Sequence, residues 1–331
     1  MQRWGCVLVA QMLAFAGSDT AHALEVVASI KPVHSLVAAV MEGAGEPALI
    51  VEGASSPHAY SMRPSQAAAL ETADVVFWIG PGLEAFLNEP LETLASNATI
   101  VSLTAAPGLT KLPLREGGAF EPHSDEEHDR ADEVHDDGED RHEEEGSQHA
   151  EFEEHAHANI DMHLWLDPEN ARAMVAAIAK ALAEADPAHA QAYAANAAAL
   201  DSKLASLVAD IKDALAGVKN TPFIVFHDAY RYYENRFGLS AAGSITLTPG
   251  AMPGAARVSQ IRQRIADLDA VCVFAEPQFE PKLLDAVTER TDARTGFLDP
   301  LGADIPDGPE LYFRLIRNMT ASFRECLSGQ G

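Results

Sequence analysis

The sequence predicts an α/β protein of two (β/α) lobes with mostly parallel sheets, joined by one long rigid helix. Three features carry that prediction: strand-like and helical runs alternate before residue 115, an alanine-rich run without Gly or Pro ends at Ala216, and a second alternating set follows it. Apolar residues make up 47 % of the 331 residues, enough for one large or two medium cores.

The chain opens with the marks of an export signal. Arg3 supplies a small positive start, Val7 to Ala16 is a short apolar run, and Ala21-His22-Ala23 has the small-x-small form of a cleavage site. That run is too short for a permanent membrane span. Residues 1–23 are therefore expected to be removed, leaving a mature chain outside the cytoplasm.

From Leu24 the runs Leu24–Ile30, Ala48–Val51, Ala73–Ile79 and Thr99–Leu103 read as strands. They alternate with helical segments Val33–Met41, Pro64–Glu71 and Leu83–Leu94, the pattern of βαβ units. Met162–Leu166 reads as a further short strand, after which Asp167-Pro168 starts a helix with Asp as N-cap and Pro at the first position. Asp186-Pro187 repeats that signal, and a single helix to Ala216 would be about 45 Å long at 1.5 Å per residue. The second set has strands Phe223–Phe226, Ala241–Leu247, Ala270–Ala275 and Arg294–Leu298, with helices Ala229–Phe237, Arg257–Leu268, Pro281–Thr291 and Pro309–Leu327. The organisation expected is an N-terminal lobe over 24–186, a linking helix over 187–216 and a C-terminal lobe over 217–331.

The net charge of −27 argues against nucleic acid or an anionic membrane as the main partner. It is concentrated between Glu121 and His157, where 17 acids face only Arg130 and Arg141. The same insert holds His123, His128, His135, His142, His149, His155 and His157, seven of the 13 histidines. With almost no apolar residue it cannot build a core and is expected to be disordered. Acidity alone fits a solvating loop. Imidazoles among carboxylates favour metal capture, because both are zinc ligands and the negative field concentrates cations.

Of the three cysteines, Cys6 lies in the signal. Cys272, within an apolar strand, and Cys326, near the end of the last helix, form an even pair in an oxidising compartment, so a disulfide is expected. The alternative is two buried thiols acting as small apolar residues.

Outside the insert, three histidines share a position type. His58 follows the strand Ala48–Val51 in a turn-rich loop, His163 precedes Asp167-Pro168, and His227 follows Phe223–Phe226. Ligands of open α/β sheets collect beyond the carboxyl ends of strands, so these three can converge although far apart in sequence. Three imidazoles suit Zn²⁺ and leave one tetrahedral position open. Read singly, each also fits a plain structural role, and no short ligand motif decides between the two. His34 reads as a helix-face residue packed near the crevice and His189 as a solvated residue of the long helix.

Six segments together resemble a known family: Ser29-Ile-Lys-Pro-Val-His34, Pro57-His-Ala-Tyr-Ser-Met-Arg-Pro-Ser65, Asp161-Met-His-Leu-Trp-Leu-Asp-Pro168, Phe226-His-Asp-Ala-Tyr230, Phe274-Ala-Glu-Pro-Gln-Phe279 and Leu298-Asp-Pro-Leu-Gly302. The chain resembles the zinc-binding receptors of ABC importers, within the metal-binding group of solute-binding proteins. The resemblance implies a metal held in the interlobe cleft by His58, His163 and His227, with Asp299 as candidate fourth ligand or, alternatively, as a supporting or capping group. Pro57 stands where some zinc receptors carry a glutamate, which leaves Asp299 or water for the fourth position. It further implies a non-enzymatic, monomeric receptor that hands Zn²⁺ to a membrane permease, with weaker sites in the insert. A manganese or iron receptor of the same group is the nearest alternative. A zinc hydrolase and a metal buffer are alternatives of other classes.

Overall fold

The computed structural model describes residues 23–115, 120, 160–246, 254–268, 270–278 and 281–329. The expected signal peptide, apart from Ala23, and the seven histidines of the insert lie outside the described residues.

Two four-stranded parallel sheets form the two lobes. In the first, β1 (Val26–Ile30), β2 (Ala48–Val51), β3 (Val75–Trp78) and β4 (Thr99–Ser102) lie in the order β2-β1-β3-β4. In the second, β5 (Phe223–Val225), β6 (Ala241–Ser244), β7 (Cys272–Ala275) and β8 (Arg294–Phe297) repeat that order as β6-β5-β7-β8. All pairings are parallel, so helices must carry the chain back between strands. The helices of the first lobe are α1 (Lys31–Val40), α2 (Pro64–Thr72), α3 (Asn88–Thr93) and α4 (Pro168–Ala185). Helix α5 (Ala190–Ala214) leads to the second lobe, which contains α6 (Arg231–Phe237), α7 (Ala255–Asp267), α8 (Pro281–Thr288) and α9 (Leu311–Ser328).

The linking helix begins three residues later than its start signal suggests and spans 25 residues, about 37 Å. Asp186 explains the delay. Its backbone N–H closes α4 on Leu182, while its carboxylate Oδ2 accepts from His189 Nδ1 at 2.6 Å and from the Tyr193 hydroxyl at 2.9 Å. Residues 186–189 therefore form a tight corner, and α5 folds back along α4. Arg172 on α4 clasps both oxygens of Asp201 on α5 at 2.6 and 3.0 Å. His189, expected to be solvated, is half-exposed and engaged by Asp186.

The expected strand Met162–Leu166 is instead a 3-10 turn over Leu164–Leu166. Asp161 captures the His163 N–H at 3.0 Å, and Asp167 caps α4 by accepting from the Glu169 N–H at 2.9 Å. Capping side chains at both ends curl the segment and hold it off a sheet edge. The expected helix Leu83–Leu94 likewise divides into a 3-10 turn, Ala85–Leu87, and α3.

One continuous core runs through both lobes. It joins the first sheet, α1, α4 and α5 to one face of the second sheet, reached by Phe223 and Val225 of β5, Cys272 and Phe274 of β7, and α9. The alternate residues Ile224, Phe226 and Val273 point the other way and form a smaller core with Ile261 and Ile265 of α7 and Leu283 and Val287 of α8. Cys272 and Cys326 are disulfide-bonded with Cα atoms 6.0 Å apart, tying β7 to α9. Beside this bond Gly296 lets β8 approach β7: a Cβ there would lie 2.5 Å from the Phe274 ring. Among the described residues no helix is long and apolar enough to cross a membrane.

Candidate metal site

The two sheets present their carboxyl ends to a shared cleft. Each order places a topological switch between two central neighbours, β1 and β3 in one lobe and β5 and β7 in the other, where an open α/β sheet offers a crevice. His227 follows β5 and Glu276 follows β7, so the two straddle the second switch. His58 comes from the loop after β2, where its N–H donates to Ser56 Oγ at 3.3 Å. His163 enters at the head of the 3-10 turn.

These elements bring His58, His163 and His227 together, with one nitrogen of each lying within 4.8 Å of the others. His58 Nε2 and His163 Nε2 are 3.3 Å apart. Two nitrogens on one tetrahedral Zn²⁺ at 2.0–2.1 Å would be about 3.3–3.4 Å apart, so this edge already has the spacing of a zinc site. His163 and His227 are each 7 % exposed.

Two buried acids orient the imidazoles. Asp161 Oδ1 accepts from His163 Nδ1 at 2.8 Å, and Glu276 Oε1 accepts from His227 Nδ1 at 2.7 Å. Each bond fixes the tautomer with Nδ1 protonated, which places the lone pair on Nε2 and raises its basicity. Asp161 is itself anchored: its N–H donates to Leu112 carbonyl at 3.0 Å and its carbonyl accepts from Tyr232 of the other lobe at 2.8 Å. Asp161 and Glu276 were not singled out as functional from the sequence, although both lie in the segments that carry the resemblance. Replacing either with Ala is expected to weaken metal binding by about 10–100-fold, the usual effect of losing a carboxylate behind a ligating histidine. Chelator competition would measure it, and an effect under threefold would contradict the assignment.

Burial, reinforced by the neighbouring imidazoles, holds His58 and His163 well below the ordinary histidine pKa. Burial also pulls His227 down, but Glu276, by charge and hydrogen bond, followed by Asp228 and Asp161, outweighs it and leaves His227 raised. Asp161 and Asp228 are pushed up to about 7 by burial, against the pull of Arg115. Arg115 reaches across the cleft to Glu234 at 2.7 Å and Asp228 at 3.3 Å.

Asp299 is engaged by its own loop. Its carboxylate accepts three backbone N–H groups, from Leu301 at 3.0 Å, Gly302 at 2.8 Å and Ala303 at 2.6 Å, and it is not a member of the histidine group. It shapes the loop after β8, placing Pro300 and Leu301 in the cavity wall. Pro300 carbonyl accepts from Trp165 Nε1 of the first lobe at 2.8 Å, and Lys31 Nζ donates to Ala303 and Ile305 carbonyls at 3.1 and 2.8 Å. The bidentate Arg236–Asp167 pair, both bonds 2.7 Å, adds another bridge between the lobes. His34 does not line the cavity; its Nε2 lies 2.9 Å from Pro47 carbonyl at the back of the first lobe.

The chain matches, over residues 26–326, the family model described as zinc-uptake complex component A, periplasmic. It is 55 % identical over 323 residues to the high-affinity zinc uptake system protein ZnuA of Brucella suis biovar 1 (strain 1330), with 96 % of each chain covered. To the protein of the same name from Paracoccus denitrificans (strain Pd 1222) it is 38 % identical over 325 residues, with 97 % of each covered. A crystal structure of ZnuA matches the fold with TM-score 0.70 at 24 % identity, covering 93 % of this chain and 99 % of that one. The Mn²⁺ complex of FpvC from Pseudomonas aeruginosa has the same fold, with TM-score 0.73 at 18 % identity and coverage of 94 % and 100 %. The chain thus belongs to the ZnuA family, the periplasmic component A of zinc-uptake complexes.

Proposed function

We propose that the mature chain is a periplasmic receptor that captures one Zn²⁺ between its lobes, through His58, His163 and His227, and delivers it to the membrane permease of an ABC importer. The observation that carries this reading is the convergence of three imidazoles, His58 half-buried and His163 and His227 buried, the latter two with tautomers set by a carboxylate. Nitrogen ligands favour zinc over manganese, which suits oxygen-rich sites. The cavity, about 20 Å³, holds one or two water-sized groups at roughly 10–15 Å³ each. That is room for an ion and one small ligand. Lobes at 24–186 and 217–331, linked through 187–216 after removal of residues 1–23, complete the reading. The acidic insert at 121–157 serves as an auxiliary metal-collecting or sensing segment with weaker, exchangeable sites.

Deleting residues 121–157 separates this function from that of a buffer. Titration of the deletion variant is expected to retain one tight zinc site, and a variant with none would refute the receptor. Purification from mixed-metal medium followed by metal analysis should return zinc; manganese would favour the neighbouring specificity.

Binding should weaken on acidification. Zinc needs neutral imidazoles. Because His227 titrates above the usual 6.5 while His58 and His163 stay neutral well below it, His227 is the first ligand to be protonated as pH falls. Affinity should be flat above its titration and fall about tenfold per pH unit below it, one proton displacing the metal. Chelator competition between pH 8 and 5 measures this; constant affinity down to pH 6 would contradict it.

A further inference from the structure

Gln278 stands two residues beyond Glu276, in the turn after β7, and its side chain lines the cavity with the three imidazoles. Both ends of its carboxamide, Oε1 and Nε2, are buried and have no hydrogen-bond partner among the described residues. Buried polar atoms are almost always paired, and an unpaired amide in a cavity wall marks a place where a ligand completes the bonding. Of the other polar side chains there, Ser56 Oγ accepts the His58 N–H and Glu276 Oε1 accepts from His227, while Glu276 Oε2, an acceptor only, is likewise unpartnered among the described residues.

Three imidazoles fill three corners of a tetrahedron. Pro57 offers no ligand atom, and Asp299 is bound to three backbone amides outside the group. Resting on the zinc reading above, we propose that Gln278 is a positioning residue that holds a water molecule as the fourth ligand of the bound zinc, its Oε1 accepting one O–H of that water. A carboxamide has no useful basicity, so it can hold this water without removing its proton. A carboxylate at the same position would either coordinate the metal directly or act as the general base that zinc hydrolases require. The amide thus leaves the fourth ligand exchangeable, which suits a receptor that must give up its cargo.

Cobalt(II) in place of zinc makes the fourth corner visible, because its absorption bands respond to ligand exchange. The full mature chain would be loaded with one equivalent of Co²⁺, with the His58, His163 and His227 triple alanine variant subtracting any signal from the insert. Azide is expected to shift the wild-type bands by replacing the water. In Gln278→Glu the carboxylate should take the corner, abolishing the azide response and slowing zinc release to a chelator by at least tenfold. In Gln278→Ala the site should still bind one metal and answer azide, with release several-fold faster. Wild-type bands indifferent to azide, or identical azide responses and release rates in all three proteins, would overturn the role of Gln278 while leaving the receptor standing. Absence of any metal signal above the triple variant would overturn both.

Discussion

Replacing His163 with Ala is expected to lower zinc affinity by more than 100-fold, beyond the roughly 10–100-fold expected for the acids behind the ligands. His163 is the centre of the site: its ring lies 5.3 Å from those of both His58 and His227, and its Nε2 forms the 3.3 Å edge with His58. Its removal deletes one of three nitrogens and also strips the buried Asp161 carboxylate of its imidazole partner. The backbone should persist, since Asp167 still caps α4 and Arg236 still grips Asp167. Far-ultraviolet circular dichroism would verify folding, and chelator competition would read the affinity. A loss under tenfold in a folded variant would show that the metal binds elsewhere.

The second large effect concerns stability. Substituting Cys272 and Cys326 together with Ala should reduce unfolding free energy by about 2–5 kcal/mol, the usual range for removing a native disulfide; the loop-entropy model gives about 4 kcal/mol for their separation of 54 residues. Cys272 is fully buried in β7, whose next residue after the strand is Glu276, so the bond also braces the acid that orients His227. Urea unfolding of the oxidised wild type and the double variant would measure the difference. A change under 1 kcal/mol would mean that close packing of β7, β8 and α9 already fixes this layer.

Most strands could be read from the sequence because each is a short β-branched or aromatic run that one sheet face or both must bury: Val75–Trp78 and Cys272–Ala275 are buried throughout. Met162–Leu166 is also a short, mostly apolar run and is not a strand, because the flanking carboxylates of Asp161 and Asp167 bind nearby backbone N–H groups. Such local capture depends on side-chain geometry, which composition does not carry. The linking helix was legible as one long helix, yet it starts later and runs shorter than its sequence signals suggest, since a proline start signal says nothing of a corner built on Asp186. The convergence of His58 and His227 followed from their place after strand ends, whereas His163 reaches the site from the 3-10 turn that stands where a strand is expected. The acids behind them were harder to see, because Glu276 meets His227 only through pairing of β5 with β7, 49 residues apart in sequence. Asp299 also sits at a strand end, yet its side chain turns onto the next three backbone amides of its own loop. Position at a sheet's carboxyl edge brings a residue to the cleft without setting where its side chain points.

The central claim is that one zinc ion sits on three particular nitrogens between the lobes. Diffraction from zinc-loaded crystals on either side of the zinc absorption edge tests it most directly. One strong anomalous peak is expected 2.0–2.1 Å from Nε2 of His58, His163 and His227, with Asp161 and Glu276 still on the opposite nitrogens of His163 and His227. A peak bound by Asp299 in place of one of these histidines, or zinc found only outside the cleft, would contradict it.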